Sequence, residues 1–378
     1  MERAEKRGKP EIKHGHTGGI MTRALKTCLK DIAPLDEHAV EKAKERTRDL
    51  IMPAFALGRL HEISWQMAGI KRGIVGELRD KVIMVGAGDH GVAEEGVSLY
   101  PQEVTRQMVS GFIRGVAAIN VIARHVGARV LVADFGVKGD PDPLWLSAPD
   151  RFRNKKVAPG TGNIVQGPAM TRAQAEEAII RGIEVFEEER IRGMDIIATG
   201  DMGIANTTAS AAVICSLTGL PPEEIAGKGT GLDERRLKDK VTLISRALAV
   251  NRPDSTDPLD VLATVGGFEI GGICGWILGG AAGGLPVIVD GFISTAGAML
   301  AVALEPKVKG YLFAGHLSEE KGHRKALEHM GLKPILDLQM RLGEGTGAAL
   351  AMPLIEAGVK ILTQMATFEE AGVSRGSG

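Results

Sequence analysis

The chain is poor in aromatic residues, poor in cysteine and almost without net charge. Aromatics make up 4% of its 378 residues. So few rings cannot build stacking platforms for single-stranded nucleic acid. Lys and Arg total 46 against 47 Asp and Glu, a formal charge of -1, which gives no electrostatic footprint for a nucleic-acid partner. Cys28, Cys215 and Cys274 are far apart and odd in number, and neither a Cys-x-x-Cys pair nor a His/Cys cluster accompanies them. They support no disulfide framework and no zinc site, and a reducing cytoplasm is the simplest location. Residues 1–19 are basic and polar and lack the apolar centre of a secretory signal. Residues 1–30 are expected to form a poorly ordered extension, with Met21 as an alternative start. Residues 270–289 carry no charge, but glycines and Pro286 interrupt them. Such a break cannot face lipid, so the stretch reads as a buried helix followed by a buried strand, and no membrane partner is expected.

Glycine, in contrast, is abundant at 50 residues and has no short period, which means many tight turns rather than collagen or linker. The length suits one large domain plus a minor one. Residues 36–50 and 59–70 have helical period, separated by a break at 52–58. Short apolar runs then alternate with helical stretches. The runs are 82–85, 130–133, 195–198, 286–289 and 311–314, and the helices are 101–112, 116–126, 171–190, 207–217 and 234–250. This alternation predicts an α/β fold with a mostly parallel sheet, buried on both faces and flanked by helices. Each run stops at Gly, Asp or His, so these ends should gather on the sheet edge where ligands bind.

Candidate chemistry follows from the turns. In Arg341-Leu342-Gly343-Glu344-Gly345-Thr346-Gly347 one carboxylate stands between glycines just before a helix. Crowding by apolar neighbours would raise its pKa toward that of a general base, although an acid at a helix N-terminus reads equally as a cap. Gly88-Asp89-His90-Gly91-Val92-Ala93 echoes Gly200-Asp201-Met202-Gly203-Ile204-Ala205, which suggests two turns of one build. Gly86-x-Gly88-x-x-Gly91 formally matches a dinucleotide fingerprint. However, no helix opens until Pro101, and Asp134 lies too far along to contact a ribose, so an NAD-dependent oxidoreductase is disfavoured. Residues 227–231 lack a Walker ending but offer backbone donors before a helix, an anion cradle. Asn206-Thr207-Thr208 starts another helix and would cap it or bind an anion. Lys240 alone reads as a surface lysine, and His90, His316, His323 and His329 are not at metal-ligand spacing.

Taken together these stretches resemble the nicotinate-nucleotide–dimethylbenzimidazole phosphoribosyltransferase family. Further matching segments are Gly167-Pro168-Ala169-Met170-Thr171, Val265-Gly266-Gly267-Phe268, Asp290-Gly291-Phe292 and His316-x-Ser318-x-Glu320-Lys321-Gly322, all in the family's order. The resemblance implies a Rossmann-like large domain over 76–344 and a small helical domain from 31–75 plus 345–378. It also implies a homodimer, with no metal or redox cofactor. The implied reaction moves the phosphoribosyl group of nicotinate mononucleotide to a benzimidazole base, with inversion, for the lower ligand of cobalamin. By resemblance Glu344 is the base and Asp201, where the family often has Glu, steadies the ribosyl cation. Gly203, Gly229, Lys240 and Ser318 match phosphate-side positions; Asn206, Thr207 and Thr208 join them, and Asp290 is a further site acid. Met202, Leu342, Tyr100 and Met108, with Gln107 competing, fall in the acceptor pocket. The alternatives are transfer to adenine or a phenolic acceptor, or a nucleotide-binding protein without catalysis. One departure is Met52-Pro53-Ala54-Phe55-Ala56-Leu57-Gly58, where the family commonly has Lys-Pro-Pro-Gly-Ser-Leu-Gly.

Overall fold

The computed structural model describes residues 21–229 and 231–375. Among these residues there are seven strands: β1 (Lys81–Gly88), β2 (Ala128–Gly136), β3 (Phe152–Asn154), β4 (Ile196–Met202), β5 (Val287–Val289), β6 (Leu312–Ser318) and β7 (Pro334–Met340). They form one sheet in the order β3-β2-β1-β4-β5-β6-β7, with every neighbouring pair parallel. The apolar runs are its central strands, buried on both faces as continuous Val/Ile sequences require. Strand order reverses between β1 and β4, so the crevice at their carboxyl ends is the topological switch point. The sequence pattern missed β3 and β7. Both are edge strands; β3 has three residues and β7 is half-exposed, so neither carries a buried apolar run.

The predicted helices over 171–190 and 234–250 appear as Arg172–Ile191 and Glu234–Asn251. Thr171 and Asp233 start them by accepting from the backbone N–H groups of Gln174 and Arg236. Residues 270–289 divide as expected into the buried helix Phe268–Ala282, a turn and β5. That helix touches Arg172–Ile191 at backbone distance. A Cβ on Gly275 would lie 2.1 Å from the Ile179 carbonyl oxygen, and one on Gly182 would lie 2.2 Å from that of Gly272.

The same close packing explains the glycine fingerprint on β1. A Cβ on Gly86 would sit 3.3 Å from the Trp276 ring, one on Gly88 2.6 Å from Glu269 Oε2, and one on Gly91 2.5 Å from the Gly162 backbone. These glycines make room for protein. The Gly-Asp-x-Gly echo also lacks structural equivalence. Register places Asp201 beside Gly86, not beside Asp89, and Gly91 opens a short 3-10 helix while Ala205 leads directly into Asn206–Thr218. Gly203 is small because the Gly88 carbonyl oxygen would lie 2.3 Å from its Cβ.

Helices Glu37–Asp49 and Arg59–Lys71 pack on the second half of the last helix, Thr346–Gln364. Arg46 donates to the carbonyls of Leu362 (2.7 Å) and Met365 (3.3 Å), and Trp65 donates to the Thr47 hydroxyl. Ile63, Met67 and Ile70 join the same apolar core as the sheet. Thr346–Gln364 is long and apolar enough to cross a membrane, yet Ala348, Ala351, Met352 and Ile355 are buried within the fold. In the departing segment Phe55 adopts a left-handed backbone (φ 57°) where the family commonly has Gly, and its ring meets Trp65 edge-on at 5.8 Å. The expectation of a poorly ordered extension over 1–30 fails for its last part: Arg23–Asp31 is a helix that buries Leu25 and Cys28, with Thr22 as its cap. Residues 1–20, including the rest of that expectation, lie outside the described residues.

Gly275→Ala is expected to lower the unfolding free energy by about 1–3 kcal/mol through overpacking. Gly111→Ala is the control, since a Cβ there meets only Val116 at 4.0 Å. It should be neutral or stabilising, because Ala favours a helix. Urea unfolding of both variants checks this; equal midpoints would show that the two helices have room to separate.

Candidate active site

A cavity of about 470 Å³ opens at the carboxyl edge of the sheet. The ends of β4 and β6, the turn after β5 and the segment before the last helix all reach it, through residues such as Asp201, Ser318, Phe292 and Leu342. A larger cleft of about 670 Å³ lies beside the start of β6, among Trp65, Gln66 and Lys333. None of the strand-end acids or glycine turns borders that cleft, so the smaller cavity is the candidate site.

Glu344 stands just behind the lining residue Gly343, in a turn of consecutive left-handed residues, Gly343 (φ 82°), Glu344 (62°) and Gly345 (88°). Such a conformation in a non-glycine residue stores strain and persists only where the surroundings enforce it. They do so here. The Glu344 N–H donates to the Asp201 carbonyl (3.3 Å), and the Gly345 N–H donates to Asp290 Oδ2 (3.2 Å). A Cβ on Gly200 would strike the Glu344 carbonyl carbon at 2.6 Å. The carboxylate itself turns to helix Ala118–Val126, where Oε2 accepts from the Ile119 N–H at 3.1 Å. Burial raises its pKa above the usual carboxylate range; the Ile119 hydrogen bond opposes the shift and the Asp290 charge adds to it.

Asp201 is also buried. One oxygen accepts from the Asn206 side chain (2.9 Å), and the other has no partner among the described residues. Burial, then the nearby charge of Asp290, hold its carboxyl well above the usual range despite that hydrogen bond; Glu269 and Glu344 push the same way. Asp290 differs. Its two oxygens accept from Gly345 N–H and Ala348 N–H (2.9 Å), so it caps the last helix, and His316 Nε2 lies 3.6 Å away.

A buried lysine stands behind Thr207 and Gly229, two residues of the lining. Lys240 is not a surface lysine: it is 1% exposed, and its ammonium donates to Thr207 Oγ1 (2.8 Å) and the Gly227 carbonyl (3.3 Å). Burial pulls its pKa down to about 8 against the raising effect of Glu320. Thr207 and Gly229 both border the cavity, and Arg341 donates to the Gly229 carbonyl at 3.0 Å. The helix facing this loop is Asn206–Thr218. Glu234–Asn251, the helix that follows the loop in sequence, is already capped by Asp233. The anion cradle is therefore assembled from two distant turns.

A family model described as Phosphoribosyltransferase matches residues 32–373. The chain is 53% identical over 351 residues to the nicotinate-nucleotide–dimethylbenzimidazole phosphoribosyltransferase of Desulforudis audaxviator (strain MP104C), covering 93% of this chain and 98% of that protein. It is 52% identical over 355 residues to the protein of the same name from Geobacter sulfurreducens, covering 93% and 99%. The chain belongs to this phosphoribosyltransferase family. The crystal structure of CobT from Thermus thermophilus matches it with a TM-score of 0.85 and 49% identity, covering 90% of this chain and 100% of that one.

In this phosphoribosyltransferase the residues marked from sequence do not all reach the cavity. Asp201, Met202, Gly203, Asn206, Thr207, Gly229, Ser318, Tyr100 and Leu342 border it. Lys240 and Glu344 stand directly behind that wall. Asp290 is occupied with the helix cap, Thr208 is fully buried, Gln107 is exposed away from the cavity, and Met108 packs on the core. Sequence reasoning missed the supports. His323 accepts the Ser318 N–H on Nδ1 (2.8 Å) and meets Thr295 Oγ1 through Nε2 (2.9 Å). Its proton therefore sits on Nε2, and burial holds its pKa down to about 3. His90, without an obvious partner in the sequence, pairs with Glu269 at 2.6 Å. His90 lies in one of the motifs above and His323 directly after another, but Glu269 and Thr295, which fix them, are distant in the chain.

The Asp201 shift has a consequence for stability. The folded chain holds that proton more tightly than the unfolded chain does. The associated stability is full below about pH 4, the unfolded carboxyl range, and is lost as pH rises through the folded value. Asp201→Asn removes this loss, so its thermal midpoint at pH 7 should equal or exceed the parent's, with a shallower decline from acid to neutral pH. A midpoint several degrees lower would show that an ionised Asp201 supports the ligand-free fold.

Proposed function

We propose that this chain transfers the phosphoribosyl group of nicotinate mononucleotide to 5,6-dimethylbenzimidazole, giving α-ribazole 5′-phosphate and nicotinate, for the lower ligand of cobalamin. The observation that carries this reading is the company that the cavity keeps: a buried lysine is joined to the lining residue Thr207, the buried acid Asp201 lines the same cavity, and Glu344 follows the lining residue Gly343. Family membership at about half identity over nearly the whole chain supports the substrates.

Lys240, Thr207 and the Gly229 turn hold the phosphate, with the start of helix Asn206–Thr218 facing the same anion. The sugar then extends toward Asp201, with C1′ near Glu344. The bond between C1′ and nicotinate breaks with its electron pair going to the pyridine nitrogen, which discharges the pyridinium. A benzimidazole nitrogen attacks C1′ from the opposite face, and the N–H proton of that ring passes to Glu344. A raised carboxyl pKa brings this base closer to neutrality, where proton transfer is efficient. Asp201 and Glu344 pair with no cation among the described residues; a pyridinium nucleotide, and then the ribosyl cation, supply the positive charge that favours their ionised forms. Met202, Phe292, Ile293 and Leu342 provide the apolar surface for the acceptor ring. Three buried free cysteines suit a cytoplasmic location, and the exposed Phe55 and Leu57 suit a homodimer contact. We read 31–75 with 345–378 as the smaller domain, on the packing of their helices.

Incubation with nicotinate mononucleotide and 5,6-dimethylbenzimidazole, with adenine and a phenol in parallel, tests the reaction by product mass. Glu344→Gln is expected to keep nucleotide binding and lose about 10²–10⁴-fold in turnover, the usual contribution of a general base. Near-normal turnover would remove Glu344 from that role.

Lys240→Met is expected to weaken nicotinate mononucleotide by about 10- to 100-fold, as loss of a charge-assisted hydrogen bond does, and to spare benzimidazole binding. The parent's nucleotide affinity should fall above pH 8 as the ammonium deprotonates, and the variant should lose this dependence. Calorimetric titration from pH 7 to pH 9.5 reads both effects; an unchanged affinity would make Lys240 purely structural.

A further inference from the structure

Glu320 has no part in the scheme above, yet it borders the cavity. It lies in the turn after β6, two residues beyond Ser318, and its N–H donates to the Ser318 hydroxyl at 3.3 Å. The side chain is 6% exposed, and Oε2 has no hydrogen-bond partner among the described residues. No Lys, Arg or His nitrogen among those residues comes within ion-pairing distance of it. The carboxylate is nonetheless built into the wall. A Cβ at residue 227 would lie 2.0 Å from Oε2, so Gly227 is kept bare to seat it. Lys240 feels the charge of Glu320 but makes no ion pair with it, because that ammonium is bonded to Thr207 and to the Gly227 carbonyl.

A buried carboxylate accepts hydrogen bonds only, and leaving it without donors is costly. A ligand that borders it must therefore bring donors. The phosphate cannot, since it is an anion. Nicotinate cannot for the same reason. The sugar can: its 2′- and 3′-hydroxyls are neutral donors one ring away from the phosphate, and Glu320 stands on the Lys240 side of the cavity, against the residue whose carbonyl Lys240 holds. We infer that Glu320 binds the ribose hydroxyls of the nucleotide and sets the enzyme's preference for a ribose over a deoxyribose phosphate. This rests on the nucleotide substrate proposed above.

The test is calorimetric titration of the parent, Glu320→Gln and Glu320→Asp with nicotinate mononucleotide and its 2′-deoxy and 3′-deoxy analogues, with turnover measured alongside. The parent should bind at least one deoxy analogue about 10- to 100-fold more weakly, as loss of a hydrogen bond to a charged group does. Glu320→Gln should lose a similar factor with the ribonucleotide and little more with that analogue. Glu320→Asp should fall between, since it keeps the charge and shortens the reach. A parent that binds all three nucleotides equally overturns the inference without reference to any variant. So does a folded Glu320→Gln that weakens ribo and deoxy forms by the same factor, which would mean that Glu320 acts through Lys240. Binding with the expected sugar preference but without turnover would leave the inference standing and overturn the reaction; a parent that binds no nucleotide overturns both.

Discussion

Asp290 accepts hydrogen bonds from Gly345 N–H and Ala348 N–H, and much of the site hangs on that cap. A carboxyl at a helix start satisfies donors that have no partner within the helix, and burial holds the Asp290 pKa above its usual range against the opposing effects of His316 and those hydrogen bonds. Here it also draws the last helix down onto the ends of β4 and β6. Gly347 lies against His316, whose Cδ2 would be 2.0 Å from a Cβ there, and Gly315 lies against the backbone of Ala348. Held this way, the helix leaves the preceding residues only a tight left-handed turn, and that turn carries Glu344 to the cavity wall. The strained base position follows from the placement of the helix.

The second constraint is electrostatic. Asp201, Asp290, Glu344 and Glu269 lie close enough to influence one another across the carboxyl edge, while the cation nearest the phosphate end is bonded elsewhere. Burial favours neutral carboxyls, and proximity to one another favours them further. His90 pairs with Glu269 and His316 lies near Asp290, but Asp201 and Glu344 have no such partner among the described residues, and their site suits a ligand that brings or develops positive charge. The buried ammonium of Lys240, with Thr207 and the Gly229 turn, suits an anion. A phosphoribosyl donor that leaves through a ribosyl cation has both features in one molecule.

Glycine ties the fold to the site. Gly86, Gly88 and Gly91 look in sequence like a dinucleotide loop, but helix Phe268–Ala282, Glu269 and the 162–163 backbone fill the space that a cofactor would need. Gly200, Gly203 and Gly227 likewise mark places where backbone or a functional carboxylate comes too close for a side chain. The abundance of glycine thus reflects close approach as much as turning.

Much could be read from the chain alone. Hydrophobic runs ending in Gly, Asp or His identified the central strands and the edge where the site lies, because both depend on local periodicity and on where apolar residues stop. The motif around Glu344, and the order of motifs along the chain, pointed to the family. The short edge strands, the helix Arg23–Asp31 and the true job of the fingerprint glycines could not be read, because each depends on what packs against it. The same holds for charge. Lys240 looks like any surface lysine in its helix, and only the fold brings Thr207 and Gly227 around it. Asp290 and Asp201 end similar strands, but the last helix takes the oxygens of one and leaves the other facing the cavity. Local pattern determined which residues stand at the strand ends; long-range packing decided which of them are free to act, because burial and hydrogen-bond partners come from segments far away in the sequence.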